Sequence, residues 1–494
     1  MKRRIGPRFQ IHLVRRRCWT LGLAIASALA MVLGSVGPAT AEDGTGGIVE
    51  EEVSFRSGAV TLRGTIFVPD GAASLPAVAL VHGSGPGPRG QLRREAEAFA
   101  REGIAVLIYD KRTRGYSGSG LGERSYDLLA DDALAAVGAL RRHPAVDPGS
   151  VGLWGLSEGG WVVPLAANRS DDVAFVVLVG ASGVPPARQV SWYLENELRH
   201  RGVSGSMVGA VARTGIRVQA GTGGMAEADH DHVRPLERLR QPVLALWGEK
   251  DRVVPPAESA RVFQAALRSG RTGSRTIRFF PEAQHGLEYS PDGYTRSETL
   301  VRGYPEMVAG WIREVSRHEA PAPSADPPPP QPRISRPLEP LAWWESGWVQ
   351  LGAMAVPILA FGLYVAATLG AALAHLLRGR KRGGSGTTNP LARRWARCAA
   401  VGGLATMLGF VLYFGFLLST AGSVVGPVVA GRALPWLTLQ ALAAFTCVAG
   451  VLLAASWWRT PRKSTTSERT RNGVVLLGGV VFAMWAAYWG LLTP

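Results

Sequence analysis

The sequence predicts an α/β domain with a mostly parallel, doubly wound sheet and a lid insertion, followed by an all-α membrane region. Three observations carry that expectation. Short continuous apolar runs alternate with helical segments between Glu51 and Arg317. Gly155-Leu156-Ser157-Glu158-Gly159 sits between an apolar strand and an Ala-containing helix. Four uncharged apolar runs fill the C-terminal third, each reaching the roughly 20 residues that cross a bilayer as helix.

The first strands, Glu51 to Phe55 and Ala59 to Val68, read as a hairpin turned at Ser57-Gly58. Ala77 to Val81 is a continuous apolar run, as in a strand buried on both faces. A helix (Leu92 to Arg101), a strand (Ile104 to Tyr109) and a helix (Tyr126 to Arg142) come next. The strand Ser150 to Trp154 then leads through Ser157 into a helix from Gly160 to Asn168. Later come the strands Val173 to Val179, Pro242 to Trp247 and Arg275 to Phe280, and helices near Ala257 to Arg268 and Tyr304 to Arg317. Residues 183–234 break the alternation and read as a lid over the carboxyl end of the sheet. The α/β domain is expected over residues 51–318. Residues 319–342 form a proline-rich linker containing Pro327-Pro328-Pro329-Pro330. At about 3.1 Å per residue its extended reach is roughly 60 Å.

The net charge of +16 is local. Seven bases precede Cys18, seven lie between Arg378 and Arg397, and five with one acid lie between Arg459 and Asn472; the remainder of the chain nets −2. The charge flanks apolar segments, and no nucleic-acid surface is needed to explain it. The cysteines, Cys18, Cys398 and Cys447, all lie in or beside apolar segments, so the α/β region uses neither a disulfide nor a cysteine nucleophile.

The basic N-terminus runs into an uncharged stretch ending at Ala39-Thr40-Ala41. Residues 1–41 read as a signal peptide cleaved after Ala41, or else as an uncleaved anchor; either would export the α/β domain. Residues 348–494 hold the predicted membrane helices, about Leu351 to Leu376, Cys398 to Thr420, Ala433 to Trp458 and Gly473 to Leu492. Trp343, Trp344, Trp348, Trp457 and Trp458 lie near their ends, as interfacial aromatics do. The first and third connections are basic and the second has only Arg432 after it, so the positive-inside rule puts the first and third in the cytoplasm. The α/β domain is then extracytoplasmic. The last three runs carry no charged side chain and the first only His375, which disfavours an ion pathway.

Serine is a poor nucleophile until an imidazole takes its proton, and the imidazole needs a carboxylate to fix its tautomer. Asp251 comes after a strand within Gly248-Glu249-Lys250-Asp251, and His285 comes after the last strand within Gln284-His285-Gly286. The order Ser157, Asp251, His285 suits a nucleophile elbow, with each residue just past a strand's carboxyl end. Glu249 is the rival carboxylate. The oxyanion donors are expected to be the backbone amides of Glu158 and of Ser84, in the loop His82-Gly83-Ser84-Gly85-Pro86.

These residues resemble the α/β-hydrolase superfamily, with the nearest likeness to its serine aminopeptidase-like (S33-type) esterases and peptidases. The resemblance covers about Val53 to Trp311 and rests on His82-Gly83-Ser84-Gly85-Pro86, Tyr109-Asp110-Lys111-Arg112, Gly155-Leu156-Ser157-Glu158-Gly159-Gly160, Gly248-Glu249-Lys250-Asp251 and His285. It implies hydrolysis of an ester, thioester or amide through an acyl-serine. Thr113 stands where that family usually has the first glycine of the subsequent Gly-x-Gly-x-Ser, before Arg114-Gly115-Tyr116-Ser117.

The expected protein is a membrane-tethered extracytoplasmic serine hydrolase acting on a small ester, peptide or lipid substrate. It needs no metal or organic cofactor and no nucleic acid. The alternatives are a non-catalytic membrane assembly or sensor protein that uses the domain to bind a ligand, and an acyltransferase. His82 reads as a loop-shaping residue, and Asp229-His230-Asp231-His232 as a solvated loop without the further ligands a metal would need.

Overall fold

The computed structural model describes residues 47–113, 125–377, 389–459 and 466–494. The expected signal segment, the loop Arg114-Gly115-Tyr116-Ser117 and the middles of both basic connections lie outside the described residues.

Strands β1 (Ile48–Ser57), β2 (Val60–Pro69), β3 (Leu75–Val81), β4 (Ala105–Tyr109), β5 (Val146–Leu156), β6 (Val176–Val179), β7 (Val243–Gly248), β8 (Arg275–Phe280) and β9 (Ser324–Ala325) form one sheet. Their order is β1-β2-β4-β3-β5-β6-β7-β8-β9. β1 and β2 form the expected hairpin, β2 runs antiparallel to β4, and every pairing from β4 through β3 to β9 is parallel. The parallel strands are the continuous apolar runs of the sequence because both of their faces are covered: Ala77 to Leu80, Val176 to Val179 and Val243 to Trp247 are fully buried.

Helices α1 (Arg93–Arg101) and α9 (Tyr304–Ser316) bury Phe99, Tyr304 and Ile312 on one face. Helices α2 (Tyr126–Leu140), α3 (Gly159–Ala167) and α8 (Pro256–Ser269) bury Leu129, Val162 and Phe263 on the other. β3 and β5 are neighbours, yet β3 leads to α1 and β5 leads to α3, on opposite faces. Their loops therefore part and leave a crevice at the carboxyl end, which is where doubly wound sheets bind ligands.

The segment between β6 and β7 is helical. α4 (Pro186–His200) is succeeded by α5 (Ser206–Val208), a π-helical turn (Gly209–Gly215), α6 (Ile216–Gly221) and α7 (Val233–Arg238). α4 is fastened across the carboxyl end of the sheet: Gln189 Nε2 donates to the Val253 carbonyl at 2.6 Å, and the Tyr294 hydroxyl donates to the Asn196 carbonyl at 3.3 Å.

The linker departs from its expected role as an extended spacer. β9 extends the sheet beside β8, and the residues after it lie along α4 and α8. Glu258 accepts from the Ser335 amide at 2.8 Å and from its hydroxyl, Arg188 Nε donates to Ser335 Oγ at 2.7 Å, and Trp192 Nε1 donates to the Arg333 carbonyl at 3.0 Å. Proline-rich chain has no internal hydrogen bonds, so its polar groups are free to bond to the domain.

Helices α10 (Gly347–Leu377), α11 (Pro390–Ser419), α12 (Leu434–Arg459) and α13 (Thr466–Tyr488) are long and apolar enough to cross a membrane. α11 and α13 begin earlier than hydropathy alone suggests and include flanking arginines. Asn389 caps α11 by accepting from the Leu391 and Ala392 amides. Leu363, Leu412, Val451 and Leu477 are each more than 60% exposed, so the outside of the bundle is as apolar as a lipid surface requires. The helices alternate in direction. Arg393, Arg394, Arg397, Arg459, Arg469 and Arg471 therefore share one end, and Glu345, Gly431 and Pro494 share the other.

The second end carries the lid. Leu198, Met207, Val208 and Val211 share one buried cluster with Phe410, Trp436, Trp485 and Trp489. The Ser204 amide donates to the Gly431 carbonyl at 2.6 Å, and the Ser206 amide donates to the Pro494 carbonyl at 3.2 Å. Arg217 pairs with the buried Glu345, which also accepts from the Tyr488 hydroxyl at 3.1 Å.

Candidate active site

β5 ends at Leu156 and α3 begins at Gly159, so Ser157 stands at the turn. Its φ is +55°, in the left-handed region that costs a non-glycine residue free energy. The serine itself therefore makes the turn. The flanking glycines supply room. A Cβ on Gly155 would lie 2.5 Å from the Gly159 carbonyl oxygen, and one on Gly159 would lie 2.7 Å from the Val81 carbonyl oxygen. The Ser157 amide donates to the Val179 carbonyl at 2.8 Å and so pins the turn to β6.

His285 arrives from the other side of β6. Its imidazole lies over Gly180, where an added Cβ would meet ring atoms Cε1 and Nδ1 at 2.9 Å. Val179 and Gly180, adjacent in the chain, thus hold the backbone of Ser157 and the ring of His285 respectively. His285 Nδ1 donates to Asp251 Oδ2 at 2.8 Å. A carboxylate can only accept, so the lone pair of the neutral ring is left on Nε2.

Asp251 is fully buried, and its Oδ1 accepts from the Val253 and Val254 amides, both at 2.8 Å. Glu249, the rival carboxylate, is exposed. Burial alone would push the His285 pKa down, but the charge and hydrogen bond of Asp251 outweigh it and leave the pKa above its ordinary 6.5.

Gly83 lies beside Ser157: a Cβ there would sit 3.5 Å from the serine Cβ. The loop expected to supply the Ser84 amide is therefore next to the elbow. His82 is buried and donates from Nε2 to the Tyr109 carbonyl at 2.8 Å. Burial lowers its pKa to about 4, so it is a neutral brace for the loop. The histidines at 230 and 232 correct the solvated-loop reading. His230 packs edge-on against Tyr126 at 4.8 Å, and His232 Nε2 donates to the Gly183 carbonyl at 2.7 Å. Only Asp229 and Asp231 of that run are exposed. Among the described residues, no group of three or more His, Cys, Asp or Glu side chains is placed to hold a metal ion.

Sequence reasoning gave no role to the side chains of Lys111 and Glu158. They form an ion pair at 2.6 Å with side chains 4% and 0% exposed. A charged residue between Ser157 and Gly159, inside an apolar core, demands a partner; that was the available signal.

Comparison with known proteins agrees with this architecture. Residues 91–302 match the prolyl oligopeptidase family model, which is under half of the chain. The domain has the α/β-hydrolase fold. The thiohydrolase AneE of Aspergillus aculeatus is 35% identical over 24% of this chain and 37% of its own length. The esterase EstD of Thermotoga maritima is 33% identical over 28% and 34%. The peroxisomal succinyl-coenzyme A thioesterase of Mus musculus is 28% identical over 54% and 61%. The chain thus spans less than two thirds of the length of these relatives. Among solved structures, the dienelactone hydrolase of Anabaena variabilis is 20% identical with a TM-score of 0.34, over 56% of this chain and 99% of that one. The acylaminoacyl peptidase of Pyrococcus horikoshii is 17% identical with a TM-score of 0.37, over 55% and 41%.

Proposed function

We propose that the chain is a membrane-tethered serine hydrolase that cleaves an ester or thioester on the extracytoplasmic side. The observation that carries this reading is the Asp251–His285 pair, 2.8 Å apart, beside the strained Ser157 turn. Ser157 Oγ attacks the acyl carbon as His285 Nε2 takes its proton. The amides of Ser84 and Glu158 hold the oxyanion, and each such donor is typically worth ~3 kcal/mol of barrier. The oxyanion collapses, and the leaving alkoxide or thiolate departs with the proton from His285. Water then attacks the acyl-serine, giving its proton to His285; collapse releases the acid and returns the proton to Ser157.

The names of the thiohydrolase, esterase and thioesterase relatives favour oxygen and sulfur esters over amides. The exported side is supported by the lid sitting at the bundle end opposite the arginine-bearing helix ends, given that positive ends face the cytoplasm. Two further relatives are called polyketide transferases, which favours a second reading: transfer of the acyl group to an alcohol or amine in place of water. The test is a panel of p-nitrophenyl esters and acyl thioesters on the detergent-solubilised full chain, with and without added alcohols, using Ser157→Ala as the blank. Hydrolysis that vanishes in the blank supports the first reading, and acyl adducts of the alcohol support the second. No Ser157-dependent turnover of any substrate would contradict both.

A further inference from the structure

The oxyanion loop and the elbow are joined by one buried cation. Lys111 Nζ lies 2.6 Å from Glu158 Oε1 and donates to the Gly83 carbonyl at 2.7 Å. Its own amide donates to the Gly87 carbonyl at 2.8 Å, so the lysine backbone grips the far side of the same loop. Asp110, one residue earlier, accepts from the Arg89 amide at 2.9 Å and closes the loop where it enters α1.

We propose that Lys111 and the Glu158 side chain are positioning residues that set the direction of the Ser84 amide and hold both oxyanion donors in register. The inference rests on the serine hydrolase reading above. In a trans peptide the carbonyl and the next N–H point in opposite directions, and no described peptide bond is cis. The ammonium draws the Gly83 carbonyl to its own side, which turns the Ser84 N–H to the opposite one. Gly83 has no side chain to obstruct that choice, and its Cα is next to Ser157. Without the cation, a glycine-rich peptide is free to rotate its carbonyl into the site. The carboxylate that neutralises the lysine belongs to Glu158, whose own amide is the second donor. One ion pair therefore spans both halves of the hole, with both side chains shielded from water.

The test compares wild type with Lys111→Met/Glu158→Gln, which removes both buried charges together, in detergent with a p-nitrophenyl ester. The expected result is kcat lowered by roughly 10²-fold with KM within about threefold, a melting temperature close to wild type, and a matching loss of affinity for a phenylboronic acid that mimics the tetrahedral adduct. A merely structural role would lower Tm without moving boronate affinity against KM. Should the double variant fail to fold, Glu158→Gln alone decides: it keeps an acceptor for Lys111 and is expected to lower kcat several-fold at constant KM. Unchanged kcat in whichever variant folds overturns the inference. Its failure is separable from failure of the hydrolase reading, since wild type would still turn over the ester and Ser157→Ala would not.

Discussion

At the scale of single residues, the chemistry of the site is set by what surrounds each titratable group. In the proposed mechanism His285 must be neutral to act as base, and Asp251 holds its pKa above 6.5. The acid limb of a kcat/KM–pH profile is therefore expected above pH 6.5, with activity rising as the imidazole loses its proton. Asp251→Asn should move that limb to lower pH and reduce kcat by ~10³–10⁴-fold, because the tautomer is no longer fixed; steady-state kinetics from pH 5 to 9 reads both effects. Glu95 gives a different pH signature. Burial, reinforced by nearby Glu288, raises its pKa from 4.5 to about 7. The folded state therefore keeps a proton that the unfolded chain releases, and stability from this group is full below pH 4.5 and is lost as pH rises towards 7. Glu95→Gln is expected to stabilise the chain by about 3 kcal/mol at pH 8 and hardly at all at pH 4, measured as a shift of Tm. The places of Ser157, Asp251 and His285 just past the ends of β5, β7 and β8 were legible in the sequence, because apolar residues mark each of those strands. The Lys111–Glu158 pair was not, because pairing across 47 positions depends on which loops meet.

Elements show the same division. The parallel strands could be read from the sequence because burial on both faces leaves no polar alternation. The start of α11 lies earlier than hydropathy suggests because the Asn389 cap, not apolarity, sets that boundary. The glycines of the elbow are required by close packing. Gly155→Ala would place a methyl 2.5 Å from the Gly159 carbonyl oxygen, and overpacking of this kind typically costs about 1–3 kcal/mol. The expected outcome is a lower Tm together with slower ester turnover, since the methyl pushes directly on the turn that holds Ser157. The lid helices and the strap from Ser324 to Ser335 were the least legible elements. Their partners lie in other parts of the chain, and neither an amphipathic helix nor a proline-rich stretch states what it will lie against.

For the whole molecule, the four-helix bundle and the lid share one packed core. The bundle end near Gly431 and Pro494 forms part of the apolar core that holds the lid. A fragment ending at Pro340 keeps Ser157, Asp251 and His285 but loses Phe410, Trp436, Trp485 and Trp489 from beneath α4 and the π-helical turn. That fragment is expected to expose the lid's apolar face, seen as increased binding of a hydrophobic dye and a raised KM relative to the full chain; equal KM and no added dye binding would show that the lid stands unaided. The central claim is that Ser157 is an activated nucleophile. Mass spectrometry of the intact full chain after exposure to a fluorophosphonate tests it most directly. One phosphonyl adduct on Ser157, absent from Ser157→Ala and strongly slowed in His285→Ala, is the expected result. An unmodified wild-type chain, or an adduct that persists after Ser157 is replaced, would contradict it.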